Sequence, residues 1–316
     1  MNPAIDPALL RHLPAERFGA VREITPISAG LSGAMVYAVV ADGGELILRI
    51  ERPDSPDRDW QQQLAIQRLA AEHGIAPRLH HVDVAARAAV SAKVSGPPFT
   101  AALRDPASAP AAIAGLVDAL QTLHALPADG VRSVDILAQA RSLWREQAGR
   151  AGLPGWARSI GDRVDALEPV LAGDARRVLS HNDLNPGNIL WDGARPWLVD
   201  WQVASLAHPY HDLATFSTFL LLTDHDALGL LARQERTELA PEQADTFRAM
   251  RQLAAIVYGA VFLALVPELT ALPATSREET SSLAECLERM SQGALDLTSS
   301  RGQGLIALAL LRQAAG

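Results

Sequence analysis

The chain contains little of several residue types, and each scarcity narrows what the protein can be. Its 316 residues include a single cysteine, Cys286, so no internal disulfide can form and a reducing compartment is expected. Basic residues number 28 against 36 acidic residues, and the formal net charge is −8. Since a nucleic-acid-binding protein usually presents a basic face, this balance argues against a nucleic-acid partner.

Long apolar runs are also scarce. The longest, residues 254–266, is interrupted by Tyr258 and Gly259 and is shorter than the roughly 20 residues that span a bilayer. The first residues lack a basic stretch followed by an apolar run, so no signal peptide is expected. We therefore expect a cytoplasmic protein with no membrane partner. Nothing in the sequence indicates the oligomeric state.

The residues that are present indicate an ordered chain of mixed structure. It is 48% hydrophobic and 20% charged, which is typical of a globular protein with a substantial core. Runs of β-forming residues predict five strands in the first part of the chain, with one helix between the third and the fourth. The predicted strands are 21–27, 35–40, 45–50, 79–83 and 88–94, and the helix is 57–73.

A sharp change of pattern follows the fifth strand. Ser95-Gly96-Pro97-Pro98 breaks the strand pattern and predicts a hinge, with an N-terminal lobe at 1–95 and a C-terminal lobe at 96–316. Beyond the hinge, apolar residues recur at helical spacing, so the fold class is predicted to be α+β with two lobes. The predicted helices are 108–125, 133–149, 156–172, 211–223, 241–266, 275–296 and 303–314.

The most informative motif lies within the helical part. Asp183 and Asn188 are five residues apart, so one compact loop can direct both side chains into a single cleft. Two short apolar runs joined by the turn dipeptide Asp192-Gly193 predict a hairpin that returns Asp200 to the side of Asn188. One carboxylate that orients a hydroxyl, with an amide oxygen and a second carboxylate for magnesium, is the set that ATP-dependent phosphoryl transfer needs.

These residues resemble those of the aminoglycoside phosphotransferase and choline kinase family. The likeness lies in His181-x-Asp183-x-x-x-x-Asn188, Asp200-Trp201-Gln202, Asp212-Leu213-Ala214 and Leu123-His124-Ala125-Leu126. The resemblance implies a protein-kinase-like fold, a small mainly β N-lobe with one helix, a larger helical C-lobe, and the cofactors ATP and Mg²⁺. It further implies that Asp183 is catalytic and that Asn188 and Asp200 bind the metal.

The resemblance extends to candidate nucleotide-binding residues. Two glycines and two serines lie between the first two predicted strands, and Gly30, Leu31, Ser32 and Gly33 resemble the family's nucleotide-covering loop. Protein kinases place a lysine on the third strand, whereas this chain has Arg49 at the matching position, and arginine can also contact phosphate. The adenine ring is expected to meet backbone groups of Lys93 to Ser95. Lys93 is the sole lysine.

Two positions depart from the family pattern. The helix glutamate that usually pairs with the third-strand residue is expected near Gln63, and a neutral amide cannot form that ion pair. Either a hydrogen bond replaces the pair, or Glu72 or another acid serves. Gln202 stands where the family usually has glutamate, which removes one carboxylate near the expected acceptor site.

The acceptor itself is left open by the sequence. A small cationic substrate with a hydroxyl group, such as choline, ethanolamine or thiamine, is favoured slightly by the glycine loop and Arg49. An aminoglycoside is the alternative, and it would use acids that follow residue 223. A pseudokinase that binds nucleotide without transfer is a third hypothesis, which Gln63 supports. Four aromatic residues are candidates to surround a quaternary amine: Trp201, Tyr210, Tyr258 and Phe262.

Overall fold

The computed structural model supports the predicted α+β class. It describes residues 6–27, 33–52, 57–272 and 276–315. Strands dominate the beginning of the chain, and helices make up most of the remainder. The predicted order of elements is therefore confirmed at the level of fold class.

The chain divides into two compact units. The first consists of Met1–Leu126 and Gly187–Ala204, and the second of Pro127–Pro186 and Ser205–Gly316. The stretch that follows the predicted hinge, up to Leu126, belongs to the first unit in this division. The lobe boundary between residues 95 and 96 stays a prediction.

An antiparallel five-stranded sheet forms the beginning of the first unit. Its strands lie in the order β1-β2-β3-β5-β4, and each matches a predicted strand to within two residues. The strands are β1 (Val21–Ile27), β2 (Met35–Ala41), β3 (Gly44–Ile50), β4 (Leu79–Asp83) and β5 (Ala88–Ala92).

Alternation along β3 separates its core residues from its polar ones. Successive side chains of a strand point to opposite faces, so residues two apart share a face. Leu46 and Leu48 are buried in the core beneath the sheet, together with residues of β2 and β5. Arg49 and Glu51 lie on the opposite face of the strand, and neither side chain is part of this core. The local strand geometry therefore brings a basic and an acidic side chain together.

Five helices accompany the sheet in the first unit. The helix between β3 and β4 was predicted, and the turn after it contains Gly74 at φ +72°. A short helix directly after the hinge was not predicted, because Pro97 and Pro98 obscure its start. The helices are α1 (Pro7–Leu10), α2 (Ala15–Phe18), α3 (Asp57–Glu72), α4 (Phe99–Arg104) and α5 (Ala109–His124).

Four short strands lie in the part of the chain that contains the central motif. They are β6 (Val178–Ser180), β7 (Ile189–Trp191), β8 (Pro196–Leu198) and β9 (Ser205–Ala207). The β7–β8 hairpin was predicted, and its Asp192 accepts the Ala194 and Arg195 N–H groups and the Trp197 indole N–H. The antiparallel β6–β9 pair was not predicted, since three-residue strands leave little periodic signal.

The second unit is helical. Its helices are α6 (Ile136–Ala148), α7 (Ile160–Leu171), α8 (His211–Phe219), α9 (Asp224–Glu235), α10 (Pro241–Ala264), α11 (Leu283–Ser291) and α12 (Ser300–Ala314). Helix α10 packs against α6, α7, α8 and α12. By length and composition α10 alone, among the described helices, passes for a membrane span, but 67% of its apolar window is buried inside the protein.

Two sequence-based assignments in this unit were wrong. No helix was predicted between residues 223 and 241, but α9 begins there at Asp224, where the Thr223 side chain accepts the Asp226 N–H. The predicted helix 275–296 is much shorter and begins after Ser282, which forms a capping box with Glu285. In both places a side-chain cap decides where the helix starts.

Candidate active site

The loop that carries Asp183 is held in the second unit by Asp212. His181 and Asp212 are fully buried, and the Asp212 carboxylate accepts the N–H groups of His181 at 3.0 Å and Asn182 at 2.8 Å. Asn182 adopts φ +62°, a left-handed conformation that asparagine tolerates better than most residues. Asp212 therefore braces the loop from the first turn of α8.

Asp183 receives hydrogen bonds from neutral donors. The Tyr258 hydroxyl donates to Asp183 Oδ1, and the Asn185 amide donates to the same oxygen at 2.9 Å. The Asp183 N–H donates to His181 Nδ1 at 3.3 Å, which agrees with a supporting role for that histidine. Burial, followed by the charge of Asp183, raises the pKa of Tyr258 well above its ordinary value. Tyr258 consequently keeps its proton and remains a donor.

An aromatic pair stands beside this carboxylate. The rings of Phe219 and Tyr258 meet edge to face, with centroids 4.8 Å apart and an interplanar angle of 84°. Both residues are partly exposed. The other aromatic candidates, Trp201, Tyr210 and Phe262, are at most 7% exposed. Tyr258 is therefore the aromatic candidate that a small molecule can reach.

The two candidate metal ligands lie in the first unit, at the open end of the β7–β8 hairpin, with Asn188 directly before β7 and Asp200 two residues after β8. The Val199 N–H donates to the Asn188 carbonyl at 3.0 Å, which sets the residue before Asp200 against Asn188. Trp201 is fully buried, and its indole N–H donates to the Leu198 carbonyl at 3.0 Å. Asp200 adopts φ +65°, a strained conformation that is common at functional sites.

Arg49 lies against Asp200, a contact that was not predicted from the sequence. Its Nη1 is 3.3 Å from Asp200 Oδ1, and its Nε donates to Glu51 Oε1 at 2.6 Å. Gln202 Nε2 in turn donates to both Glu51 oxygens, at 3.2 and 2.9 Å. The acid that pairs with the third-strand residue is therefore Glu51. The sequence left three possible replacements for an acid at Gln63: a hydrogen bond, Glu72 or another acid. The structure shows the third, because Glu51 pairs with Arg49.

This arrangement fits both a nucleotide phosphate and a divalent cation. Arg49 Nη2 and Asp200 Oδ1 are buried atoms without a hydrogen-bond partner among the described residues. Within this described part, an N–H without a partner, beside a carboxylate held only by a 3.3 Å ion-pair contact, suits a phosphate that is accompanied by a metal ion. In the described part of the chain no three His, Cys, Asp or Glu residues cluster as a metal site. Magnesium needs fewer, since it binds through one or two carboxylates and substrate phosphates.

The remaining nucleotide-binding candidates are only partly described. Gly30, Leu31 and Ser32 lie outside the described residues. Gly33 adopts φ +73°, and an added Cβ would lie 2.9 Å from Cδ of Arg52, so glycine is required there.

Near the predicted hinge, Lys93 and Ser95 share one partner. Lys93 Nζ lies 3.0 Å from Glu45 Oε1, and the Ser95 hydroxyl donates to Glu45 Oε2 at 3.2 Å. Their predicted contacts to adenine involve the backbone and stay a prediction.

Sequence reasoning missed three participants. Glu51 shares a strand face with Arg49, and the two-residue spacing was a signal that could have identified it. Asn185 was not among the candidate site residues, but its amide donates to Asp183. Phe219 had no sequence signal, because only the packing of α8 against α10 brings it to Tyr258.

The family comparison identifies the class of protein to which this fold belongs. The model of the phosphotransferase enzyme family, APH, matches residues 23–253. The chain belongs to this family and is a phosphotransferase. No curated protein matches it.

Solved structures share the fold at low identity. A choline/ethanolamine kinase family protein from Mesorhizobium loti is 18% identical with a TM-score of 0.67, over 98% of this chain and 96% of that one. Choline kinase from Streptococcus pneumoniae is 17% identical with a TM-score of 0.61, over 76% and 84%. An aminoglycoside phosphotransferase from Streptomyces rimosus is 22% identical with a TM-score of 0.54, over 79% and 97%.

Proposed function

We propose that the protein transfers the γ-phosphoryl group of ATP to the hydroxyl group of a small amine or quaternary ammonium compound, with magnesium as cofactor. The observation that carries the proposal is the Arg49–Asp200 pair: Arg49 Nη1 lies 3.3 Å from Asp200 Oδ1, and the buried Nη2 beside it has no hydrogen-bond partner among the described residues. A phosphate oxygen would accept a hydrogen bond from Arg49 Nη2, and a divalent cation would bind the Asp200 carboxylate. The membership of the phosphotransferase family supports the same reaction class.

Each candidate residue has a distinct task in this reaction. Asp183 orients the acceptor hydroxyl and accepts its proton as the new bond to phosphorus forms. Arg49 neutralises phosphate charge through its guanidinium group. Asn188 and Asp200 are the side chains that would hold magnesium, which when bound neutralises charge on the transferred phosphoryl group. Phosphoryl transfer has a loose transition state, so positioning contributes more than strong base chemistry.

The aromatic pair supports an amine-bearing acceptor. Tyr258 contacts Asp183 directly and packs against Phe219, so an acceptor that reaches Asp183 also meets an aromatic surface. Ammonium groups are attracted to aromatic faces, with about 0.5–2 kcal/mol for each contact. Choline, ethanolamine and thiamine therefore remain the leading candidates. Their cationic groups also suit a chain with a net charge of −8.

Two observations lower the support for an aminoglycoside acceptor. A cleft of about 310 Å³ in the second unit is lined by Arg248, Arg251 and a single acid, Asp224. Asp224 pairs with those arginines at 2.9 and 3.7 Å, so its charge is compensated. The Glu279 carboxylate, another acid considered for this role, accepts the Ser276 N–H within its own turn. A polycationic antibiotic would favour acids that are not already paired.

The pseudokinase hypothesis loses its main support. It depended on the missing acid at Gln63, and Glu51 supplies a carboxylate to Arg49 instead. Asp183, Asn188 and Asp200 are all present, so no chemical group expected for transfer is lacking.

The decisive experiment is ATP consumption with magnesium against choline, ethanolamine, thiamine, homoserine and several aminoglycosides. We expect one amine-bearing alcohol to stimulate turnover, and Asp183→Asn to abolish the stimulation. With that acceptor, Tyr258→Phe should lower kcat about tenfold, because one hydrogen bond to a charged group is lost. Tyr37→Phe, a tyrosine on β2, is the matched control. Stimulation by aminoglycosides alone would overturn the acceptor assignment, and ATP binding without any turnover would favour a pseudokinase.

A further inference from the structure

Glu51 is a buried carboxylate that the family pattern does not account for. It directly follows β3 and is 5% exposed, and three hydrogen bonds from Arg49 and Gln202 reach its two oxygens. A carboxylate is rarely buried unless its charge is needed and compensated. The charge of Glu51 is compensated by the guanidinium group of Arg49 and by the side-chain amide of Gln202.

Glu51 and Asp200 compete for the same guanidinium group. Arg49 gives its Nε to Glu51 at 2.6 Å, while its Nη1 lies 3.3 Å from Asp200 Oδ1, a longer contact. Arginine prefers to bind a carboxylate through two parallel hydrogen bonds. In the structure Arg49 does not form such a bidentate pair with Asp200: Nε donates to Glu51, only Nη1 lies against Asp200, and Nη2 has no hydrogen-bond partner among the described residues. Asp200 thereby keeps an oxygen for a cation, and Arg49 keeps Nη2 for a phosphate.

Gln202 is matched to Glu51. Its amide nitrogen donates to both carboxylate oxygens, which a glutamate at this position could not do. Two carboxylates at hydrogen-bond distance repel each other, and one of them would need to bind a proton. The residues at the two positions are therefore complementary, with an acid at residue 51 and an amide at residue 202.

We propose that Glu51 is the positioning residue for Arg49 and takes over the role that a helix acid has elsewhere, with Gln202 as its required partner. The inference rests on the proposed use of ATP and magnesium. It assigns to Glu51 two measurable effects, on nucleotide affinity through Arg49 and on the magnesium requirement through Asp200. A merely structural carboxylate would affect neither.

The first test is Glu51→Gln, with ATP affinity measured by calorimetry over a series of magnesium concentrations. We expect ATP to bind about tenfold more weakly, since a charge-assisted hydrogen bond to Arg49 is lost. The magnesium concentration for half-maximal binding should also rise, because Asp200 then pairs fully with Arg49. Glu23→Gln, the same change at an exposed position on β1, should leave both quantities unchanged.

The second test exchanges the two groups. Gln202→Glu should weaken ATP binding as Glu51→Gln does, and the double variant Glu51→Gln with Gln202→Glu should recover at least half of the lost affinity. Gln202 is partly exposed, so its variant remains informative if Glu51→Gln fails to fold. Additive losses in the double variant would overturn the proposal, as would an unchanged magnesium requirement in the single variants. Failure of the unaltered protein to bind ATP with magnesium would instead overturn the proposed function.

Discussion

Asp183 and Asp200 are both aspartates on loops beside short strands, but the two units hold them with different kinds of partner. In the second unit, the partners of Asp183 include the neutral Tyr258 hydroxyl and the Asn185 amide. In the first unit, Asp200 lies against the guanidinium group of Arg49. The same side chain is thus oriented by neutral dipoles in one place and by a positive charge in the other.

The difference suits two different tasks. Neutral donors orient a carboxylate and leave its negative charge available for a substrate proton. A guanidinium group orients a carboxylate before the metal ion binds to it. The same guanidinium group can contact the phosphate that the metal ion also binds. The comparison therefore predicts that changes at the two sites will fail in different ways.

The largest expected effect comes from removing each carboxylate in turn. Asp183→Asn should lower kcat about 10³-fold and leave magnesium-dependent ATP binding unchanged, because general-base groups contribute 10²–10⁴-fold and do not hold the nucleotide. Asp200→Asn should weaken magnesium-dependent ATP binding itself, by at least tenfold. Asp118→Asn, an exposed aspartate on α5, is the control for both measurements. Equal losses of ATP affinity in the two variants would show that the tasks are not divided.

An intermediate effect is expected on the loop that carries Asp183. Asp212→Ala should lower the free energy of unfolding by about 3 kcal/mol, because two buried backbone N–H groups lose their acceptor. Asp212→Asn keeps one acceptor oxygen and should cost less. Urea denaturation measures both, with Asp118→Ala as the exposed control. An Asp212→Ala variant as stable as the unaltered protein would contradict the bracing role.

A smaller effect concerns the pH dependence of stability in the second unit. Burial lowers the pKa of His208 to about 4, while Asp174, 3.2 Å away, acts in the opposite direction. In the unfolded chain His208 binds a proton near pH 6.5, whereas in the folded protein it does so only near pH 4. The free energy of unfolding therefore falls as the pH drops from 6.5 toward 4. By pH 5.5 the loss from this group should be on the order of 1 kcal/mol.

Thermal unfolding at pH 7.5, 6.5 and 5.5 measures this loss. His208→Gln should reduce the slope, and His225→Gln, at an exposed position on α9, should leave it unchanged. Burial also lowers the pKa of His211, so part of the slope should survive in His208→Gln. If stability depends on pH equally in the unaltered protein and in both variants, His208 does not cause the loss of stability at low pH.

Local patterns were enough for the sheet, most helices and the chemical motif. The five strands and the β7–β8 hairpin follow from period-two alternation and a turn dipeptide, both of which depend on neighbouring residues. Helix α9 was missed and the boundaries of α11 were wrong, since Thr223 and Ser282 cap helices in segments whose apolar spacing is weak. The three-residue strands β6 and β9 were missed because they are too short to show a period.

The sequence by itself determined which residues we propose for the chemistry, Asp183, Asn188, Asp200 and Arg49, and their order along the chain. It also determined that Arg49 and Glu51 share a strand face, because side-chain alternation is local. Only the tertiary structure decided that Tyr258, 75 residues away, reaches Asp183, and that Gln202 reaches Glu51. Such contacts depend on how helices and hairpins pack, and packing joins residues whose separation in sequence leaves no periodic signal.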